Sequence, residues 1–128
     1  MRPRGVPEAP RACRYLLVRC GCVGRTVRRG ELWLAEVGRT RRPVLLLTRS
    51  EVLDVRGLVT VAEITTTIRG LAAEVGIDHV QVGLDQPSVI NCDGLHTVAQ
   101  ASLTGPVGRV GDDVLRKVCS AVSYALGC

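Results

Sequence analysis

The sequence predicts a mainly β domain with one C-terminal α-helix, folded as a small, strongly bent antiparallel sheet or a partly open barrel. Short stretches of β-branched and other apolar residues recur up to residue 110, whereas a helical period governs the last segment. No strand–helix–strand alternation is present, which argues against a doubly wound parallel sheet. At 128 residues the chain has the length of one domain, and its 46% hydrophobic content excludes a largely disordered protein.

The first half of the chain predicts three strands. Glu31–Val37 alternates loosely between apolar and polar residues and predicts the first strand. Gly38–Arg42 predicts a short basic loop. Pro43 suits the first residue of a second strand, where its missing N–H does least harm, and Val44–Thr48 continues that strand. Leu58–Thr66 is rich in β-branched residues and predicts the third strand.

Shorter strands are expected in the second half, where glycines interrupt the apolar pattern. Ala73–Ile77 and Val80–Val82 predict two short strands. Ser88–Cys92 and Gly94–Val98 predict a longer extended stretch, and Pro106–Val110 predicts a final short strand.

The C-terminal segment has the spacing of an amphipathic helix. Asp112 and Asp113 lie where acidic side chains favour a helix N-terminus, and Gly127 lies where a C-cap is expected. The apolar residues at helical intervals are Val114, Leu115, Val118, Ala121, Val122, Ala125 and Leu126. We therefore predict a helix that ends at Gly127 and packs one face on the sheet.

Residues 1–27 differ from the rest of the chain. They carry three of the six Pro and six Arg, with no sustained period. We expect residues 1–27 to be a disordered leader or to reflect a mis-assigned translation start, and residues 28–128 to form the folded domain.

The charge distribution raises nucleic acid as a partner. Residues 1–50 hold twelve Arg against three acidic residues, and the planar guanidinium suits phosphate. The alternative is that Arg abundance reflects genomic base composition. Only three aromatic residues are present, too few for a base-stacking platform. No apolar run approaches the length of a membrane span, and the six Cys lack zinc spacing, so we expect a cytoplasmic protein with reduced thiols.

Candidate catalytic groups are few, because the chain lacks G-x-S-x-G, H-E-x-x-H and any metal-ligand cluster. RNA cleavage suits a metal-free basic site, since the ribose 2′-hydroxyl supplies the nucleophile. Arg42 precedes Pro43, which restricts Arg42 to an extended backbone, and Thr65 closes the third strand. His79 and His96 form an alternative acid–base pair. A solvated charge and a turn-capping hydroxyl are the simpler interpretations of Arg42 and Thr65.

Four motifs in order make residues 29–128 resemble the MazF/PemK toxins, most closely their actinobacterial branch. Residues 29–33 resemble the family's R-G-[DE]-[IVL]-[WY], and residues 42–48 resemble its R-P-[VA]-L-V-[IL] strand. Residues 61–70 resemble V-[AP]-[IL]-T-[ST]-x-[IV]-[RK]-G. Residues 88–97 resemble S-V-[VIL]-x-x-[DE]-[QN]-[IV]-[RHK]-[TS]. The amphipathic C-terminal helix completes the set.

The resemblance implies a small SH3-like barrel that forms a homodimer. It implies a sequence-specific endoribonuclease that needs no metal or other cofactor and leaves 2′,3′-cyclic phosphate and 5′-hydroxyl ends on single-stranded RNA. A MazE-like antitoxin is the implied protein partner. The family's catalytic Arg and Thr correspond to Arg42 and Thr65. Because guanidinium groups stay protonated, we assign Arg42 to electrostatic stabilisation of the phosphorane.

The same resemblance and the basic loop suggest residues that bind RNA. These are Arg39, Thr40, Arg41, Thr66, Thr67, Arg69, Asp93 and His96. Two departures from the family pattern concern this region. The loop at residues 38–41 is shorter than the family's G-S-E-Q-x-G loop, and Gly94 replaces its Gln or Asn, so a side-chain contact to a base would be lost.

Two other classes of function are alternatives to a ribonuclease toxin. A DNA-gyrase poison like CcdB has the same barrel fold but acts through a C-terminal Trp-Gly-Ile, whereas this chain ends Leu126-Gly127-Cys128. A non-catalytic RNA-binding or antitoxin-sequestering relic is the third class, against which the retention of Arg42 and Thr65 argues.

Overall fold

The computed structural model describes residues 27–53, 55 and 57–128. These residues form six strands followed by one α-helix, with single 3₁₀ turns before β3 and before β6. The bounds are β1 Glu31–Val37, β2 Thr40–Leu46, β3 Leu58–Thr65, β4 Glu74–Gly76, β5 Val89–Ala99, β6 Thr104–Arg109 and α1 Asp112–Leu126. The prediction of a mainly β fold with a C-terminal helix is confirmed.

The strands form one antiparallel sheet in the order β4-β5-β3-β2-β1-β6. The edges, β4 and β6, do not pair with each other in the described part of the chain, so the sheet is an open, barrel-like one. β2 and β3 lie at its centre, and these are the strands that carry Arg42 and Thr65.

One face of the sheet packs on α1. Leu32, Leu45 and Ile90 are fully buried on this face, with Val118 and Ala121 of the helix against them. We call this the helix-side core. The helix ends as predicted, because Gly127 adopts a left-handed conformation at φ 75° and its N–H bonds back to the last turn.

The other face carries a second core around Trp33. Val44, Leu46 and Val61 pack with it and are fully buried. We call this the Trp33 core. Since side chains alternate along a strand, Arg42 on β2 and Glu63 and Thr65 on β3 share the face of this core.

Strand β2 begins earlier than the sequence predicts. The expected loop Gly38–Arg42 is only the two-residue turn of residues 38 and 39, because Gly38 at φ 66° lets Val37 pair directly with Thr40. Pro43 is therefore the fourth residue of β2 rather than its first. The β2–β3 ladder begins only at Val44, so the missing N–H of Pro43 breaks no bond to β3.

The segment after β4 differs more. Val80–Val82, predicted as a strand, lies in a turn, where Leu84 N–H bonds to the carbonyl of His79 at 2.8 Å. In the described part of the chain this short run pairs with no strand. Val82 enters the helix-side core and Val80 is exposed. Sequence alternation without a neighbouring strand does not produce a strand.

The two stretches predicted between residues 88 and 98 are one strand, β5, with a bulge. Ala62 pairs with Leu95 whereas Glu63 pairs with Asn91, so residues 92–94 are additional on the β5 side. A bulge bends a strand and re-aims its side chains. The first part of β5 thus pairs with both β4 and β3, and its second part continues along β3.

The predicted leader lies outside the described residues except for its last residue. Val27 is 5% exposed and packs in the Trp33 core. The folded unit therefore begins no later than Val27. Among the described residues, no helix is long and apolar enough to cross a membrane.

Leu45→Ala is expected to lower the free energy of unfolding by about 2–5 kcal/mol, because it leaves a cavity in the helix-side core at the centre of the sheet. Leu58→Ala is the matched control, since Leu58 on β3 is 60% exposed and its truncation is expected to cost less than about 0.5 kcal/mol. Urea unfolding monitored by circular dichroism measures both. Equal losses in the two variants would contradict this placement of the core.

Candidate active site

Arg42 lies at the edge of the Trp33 core, with a side chain that is 36% exposed. Its Nε and Nη2 donate to Thr40 Oγ1 at 3.2 and 2.9 Å, and its Nη1 donates to Glu63 Oε1 at 2.8 Å. Thr40 is two residues earlier on the same face of β2, so the strand itself supplies the hydroxyl that orients the guanidinium. These contacts use three of the five guanidinium N–H groups and leave two for a ligand.

Glu63 joins Arg42 to His96. Its Oε2 lies 2.7 Å from His96 Nε2, and its side chain is 19% exposed. An ionised carboxylate only accepts, so Nε2 of His96 carries the proton in this pair. Val61, opposite His96 in the β3–β5 register, places the imidazole on the same face as Glu63. We call Thr40, Arg42, Glu63 and His96 the Arg42 cluster.

Thr65 is on the same face of β3, two residues beyond Glu63, which puts their Cα atoms about 7 Å apart. Its Oγ1 accepts the N–H of Thr67 at 3.1 Å. A hydroxyl that accepts one bond keeps its own O–H for donation. Thr65 thus ends β3 as a half-buried hydroxyl beside the Arg42 cluster, and it also caps the following turn, as the simpler interpretation expects.

The basic residues of the predicted loop divide between the two faces of the sheet. Arg39 is exposed in the hairpin turn next to Thr40. Arg41 points to the face opposite Arg42, where its Nη2 bonds to the Ser102 carbonyl at 3.1 Å and to the Thr104 hydroxyl. The structure does not bring Arg41 to the cluster, because neighbouring residues of a strand point in opposite directions.

The remaining predicted RNA contacts lie on two exposed segments. Thr66, Thr67 and Arg69 are exposed in the loop that follows β3, and Asp93 is exposed on the β5 bulge. Both segments begin from residues of the β3–β5 pair that carries Glu63, Thr65 and His96. The bulge N–H of Asp93 bonds to Asn91 Oδ1 at 3.1 Å.

A buried carboxylate shapes the loop after β3. Glu74 Oε1 accepts N–H bonds from Arg69, Gly70 and Leu71 at 3.0, 2.9 and 3.4 Å, and the Glu74 side chain is 3% exposed. Burial opposes its ionisation, but the backbone donors at Arg69, Leu71 and Gly70 and the Arg69 charge outweigh burial and lower the pKa of Glu74. Glu74 therefore holds the loop that carries Thr66, Thr67 and Arg69.

Glu74→Gln is expected to destabilise the protein at pH 7 and to have a smaller effect in acid. A carboxylate whose pKa is lowered by folding stabilises the fold above its unfolded-state pKa, about 4.3 for glutamate, and loses that contribution as pH falls through the folded-state value. Denaturant unfolding of both proteins between about pH 7 and pH 3 measures the difference. Glu51→Gln, at an exposed glutamate, is the control. A difference in the free energy of unfolding between wild type and Glu74→Gln that grows in acid would contradict the interpretation.

Two further side chains, one predicted histidine and one buried cysteine, lie apart from the cluster. His79 is in the turn after β4, and no described contact joins it to His96, so the structure does not support a histidine pair. Cys92 is fully buried, and burial, with smaller contributions from Asp93 and Cys119, raises the pKa of its thiol to about 11. A protonated, buried thiol is not a nucleophile at neutral pH.

Sequence reasoning missed Glu63 as a member of the site. The available signal was its position, because Glu63 continues the alternation of Val59 and Val61 and so puts a carboxylate on an apolar face of β3. By contrast, the first family motif is structural: Glu31 Oε1 accepts the Trp33 indole N–H at 3.1 Å and the Arg28 N–H at 2.8 Å.

A family model described as "PemK-like, MazF-like toxin of type II toxin-antitoxin system" matches residues 28–126. The chain belongs to this toxin family. The predicted resemblance is thereby confirmed, and the match favours a MazF-like toxin over the gyrase poison.

Curated relatives come from Mycobacterium tuberculosis. "Probable endoribonuclease MazF5" is 38% identical over 103 residues, which are 78% of this chain and 93% of the relative. "Probable endoribonuclease MazF2" is 35% identical over 102 residues, 80% of this chain and 100% of the relative. These names support the prediction that this MazF-like toxin is an endoribonuclease.

Solved structures agree with the fold. The Mycobacterium tuberculosis toxin MazF-mt6 superposes with a TM-score of 0.71 at 38% identity, over 76% of this chain and 96% of that one. A mycobacterial endoribonuclease in complex with its cognate antitoxin has a TM-score of 0.72 at 23% identity, over 79% of this chain and 95% of the other. The second likeness establishes the fold alone.

Proposed function

We propose that this MazF-like toxin is a metal-independent endoribonuclease that cleaves single-stranded RNA at a specific sequence in the cytoplasm. Arg42 and Thr65 are its catalytic residues. The observation that carries the proposal is the orientation of Arg42, whose guanidinium is held by Thr40 and Glu63 with two N–H groups left for a phosphate. The family match and the names of the curated relatives support it.

The proposed reaction is a transesterification within the RNA. The 2′-oxygen loses its proton and attacks the adjacent phosphorus, the bond from phosphorus to the 5′-oxygen breaks, and the 5′-oxygen gains a proton. The products are a 2′,3′-cyclic phosphate and a 5′-hydroxyl. Negative charge develops on the non-bridging oxygens of the phosphorane, where the free N–H groups of Arg42 stabilise it.

Thr65 has a complementary role. Its hydroxyl proton is available to a phosphate oxygen, because its contact with Thr67 uses the oxygen as acceptor. Thr65 on β3 and Arg42 on β2 share one face of the sheet, so both side chains can contact the same phosphate. The flanking nucleotides contact Arg39 in the hairpin turn, Thr66, Thr67 and Arg69 in the loop held by Glu74, and His96 and Asp93 on β5.

Cleavage of a short RNA in the presence of EDTA tests the proposal. We expect cleavage to persist, and mass spectrometry to identify 2′,3′-cyclic phosphate and 5′-hydroxyl ends. The matched substrate control carries a 2′-deoxyribose at the cleaved position, which removes the nucleophile and is expected to abolish cleavage. A folded protein that cuts no member of a random RNA library would instead be a non-catalytic relic, and dependence on added metal would refute the mechanism.

We further propose that the toxin is a homodimer neutralised by an acidic segment of a MazE-like antitoxin. The match to a family of toxins from type II toxin–antitoxin systems and the basic residues Arg39 and Arg42 support this proposal. We expect the affinity for the antitoxin segment to fall as salt rises toward 1 M, where the Debye length shortens to ~3 Å. Isothermal titration calorimetry measures it; an affinity indifferent to salt would contradict the electrostatic basis, and sedimentation of a monomer would contradict the dimer.

A further inference from the structure

Glu63 presents a carboxylate to RNA at the centre of a site that binds a polyanion. A negative charge at this place weakens RNA binding, so its presence there calls for a compensating function. The two carboxylate oxygens have separate partners: Oε1 accepts from Arg42 Nη1 at 2.8 Å, and Oε2 lies 2.7 Å from His96 Nε2. The second contact keeps Oε2 from joining Oε1 on the guanidinium.

This division of partners decides how Arg42 is presented. If both oxygens bonded to Arg42, the pair would be bidentate and would occupy guanidinium donors that a phosphate needs. With Oε2 held by His96, Glu63 and Thr40 fix the orientation of Arg42 from two sides and leave two N–H groups open. Arg42 has a long, flexible side chain that is 36% exposed, so without these contacts it would sample many rotamers.

Gly94 makes room for this carboxylate. A Cβ built at Gly94 would lie 2.8 Å from Glu63 Oε2 and 3.2 Å from Glu63 Cδ. The contact with Oε2 is shorter than Cβ atoms make in real structures, so a residue larger than glycine at 94 would force the carboxylate end of Glu63 to shift. The β5 bulge brings Gly94 to this position, opposite the β3 segment that carries Glu63. The missing side chain of Gly94 thus leaves the space that the Glu63 carboxylate occupies.

We propose that Glu63 is a positioning residue for RNA cleavage: one carboxylate oxygen orients the Arg42 guanidinium toward the scissile phosphate while His96 restrains the other. The inference rests on the proposed function of Arg42. It makes Glu63 act through Arg42, without contact to the reacting atoms. It also gives the glycine at 94, which departs from the family pattern, a physical reason.

The kinetic test separates turnover from binding. In Glu63→Gln the amide keeps the size of the side chain but loses the negative charge, so its oxygen holds the Arg42 guanidinium more weakly. Its NH₂ group can contact His96 Nε2 only after the imidazole changes to the Nδ1–H tautomer. We expect kcat to fall about 10- to 10²-fold, the scale of a misplaced catalytic group, while KM for RNA stays constant or decreases because a negative charge is removed. Glu36→Gln, an exposed glutamate of β1, controls for the change in net charge.

Gly94→Ala is the second variant, because it displaces the carboxylate without removing it. The same loss of kcat without a rise in KM is expected. Gly76→Ala on β4 is its control, since a Cβ there meets no atom within 4 Å. If Glu63→Gln fails to fold, the kcat and KM of Gly94→Ala test the positioning role of Glu63 instead.

A spectroscopic readout needs no cleavage. ¹⁵N chemical shifts of the two histidines, recorded where both imidazoles are neutral, are expected to report the Nε2–H tautomer for His96 in the wild type and a mixture in Glu63→Gln, with His79 unchanged as internal reference. A wild-type kcat in Glu63→Gln overturns the positioning role of Glu63 and leaves the proposed function standing. If KM for RNA rises at that unchanged kcat, Glu63 is an RNA contact instead. A wild-type protein that cleaves no RNA overturns the proposed function and the role of Glu63 with it.

Discussion

Arg42→Ala is expected to lower kcat for RNA cleavage by about 10²–10³-fold, the usual cost of removing one electrostatic donor at a developing charge. The protein is expected to remain folded, because the side chain is partly exposed and Glu63 keeps its contact with His96. Single-turnover cleavage of one end-labelled RNA measures the rate, and circular dichroism checks the fold. The loss belongs to turnover, since the phosphorane carries more charge on its oxygens than the bound substrate does.

Two further variants define what Arg42 contributes. Arg42→Lys keeps the charge but lacks the planar fork that reaches Thr40, Glu63 and a phosphate together, so its rate is expected to lie well below wild type. Arg109→Ala removes an exposed arginine from the edge strand β6 and is expected to leave the rate unchanged. If Arg42→Ala is fully active and either His79→Ala or His96→Ala is inactive, the catalytic group is an imidazole and not Arg42.

Thr65→Val is expected to slow cleavage by about 10- to 10²-fold, at or below the range for an oxyanion donor, because it deletes the hydroxyl proton and keeps the β-branched shape. The valine suits the end of β3, so the sheet is expected to persist. The substitution also removes the acceptor of the Thr67 N–H bond, which is an exposed contact of the loop. The measurement is again single-turnover cleavage, with urea unfolding to follow stability.

Thr48→Val is the control that separates the catalytic role of the Thr65 hydroxyl from its role as a turn cap. Thr48 Oγ1 accepts the N–H of Thr60 at 2.8 Å, so the same substitution breaks the same type of bond just after β2. We expect Thr48→Val to lose stability without losing rate. If both valine variants cleave RNA equally well, Thr65 is a turn cap and holds no phosphate.

The sequence predicts best where local preference and tertiary structure agree. β1 has the predicted bounds, and α1 ends at the predicted Gly127, because spacing and capping are encoded within each element. The strand predicted at Val80–Val82 is wrong, because a strand needs a neighbour and none of the described strands pairs with this segment. The start of β2 and the union of two predicted stretches into β5 depended on register, which one element alone does not specify.

From the sequence alone one predicts the fold class, the toxin family and the candidates Arg42 and Thr65, whose catalytic roles remain predictions. These follow from motifs and periods that lie within short segments. Which charged side chains meet depends on how the strands are arranged in three dimensions. Adjacent arginines diverge because a strand alternates, so Arg41 bonds to Thr104 while Arg42 bonds to Glu63. Residues 42, 63 and 96 meet because β2, β3 and β5 are neighbours in the sheet, and the pairing of distant strands brings together side chains that no local pattern connects.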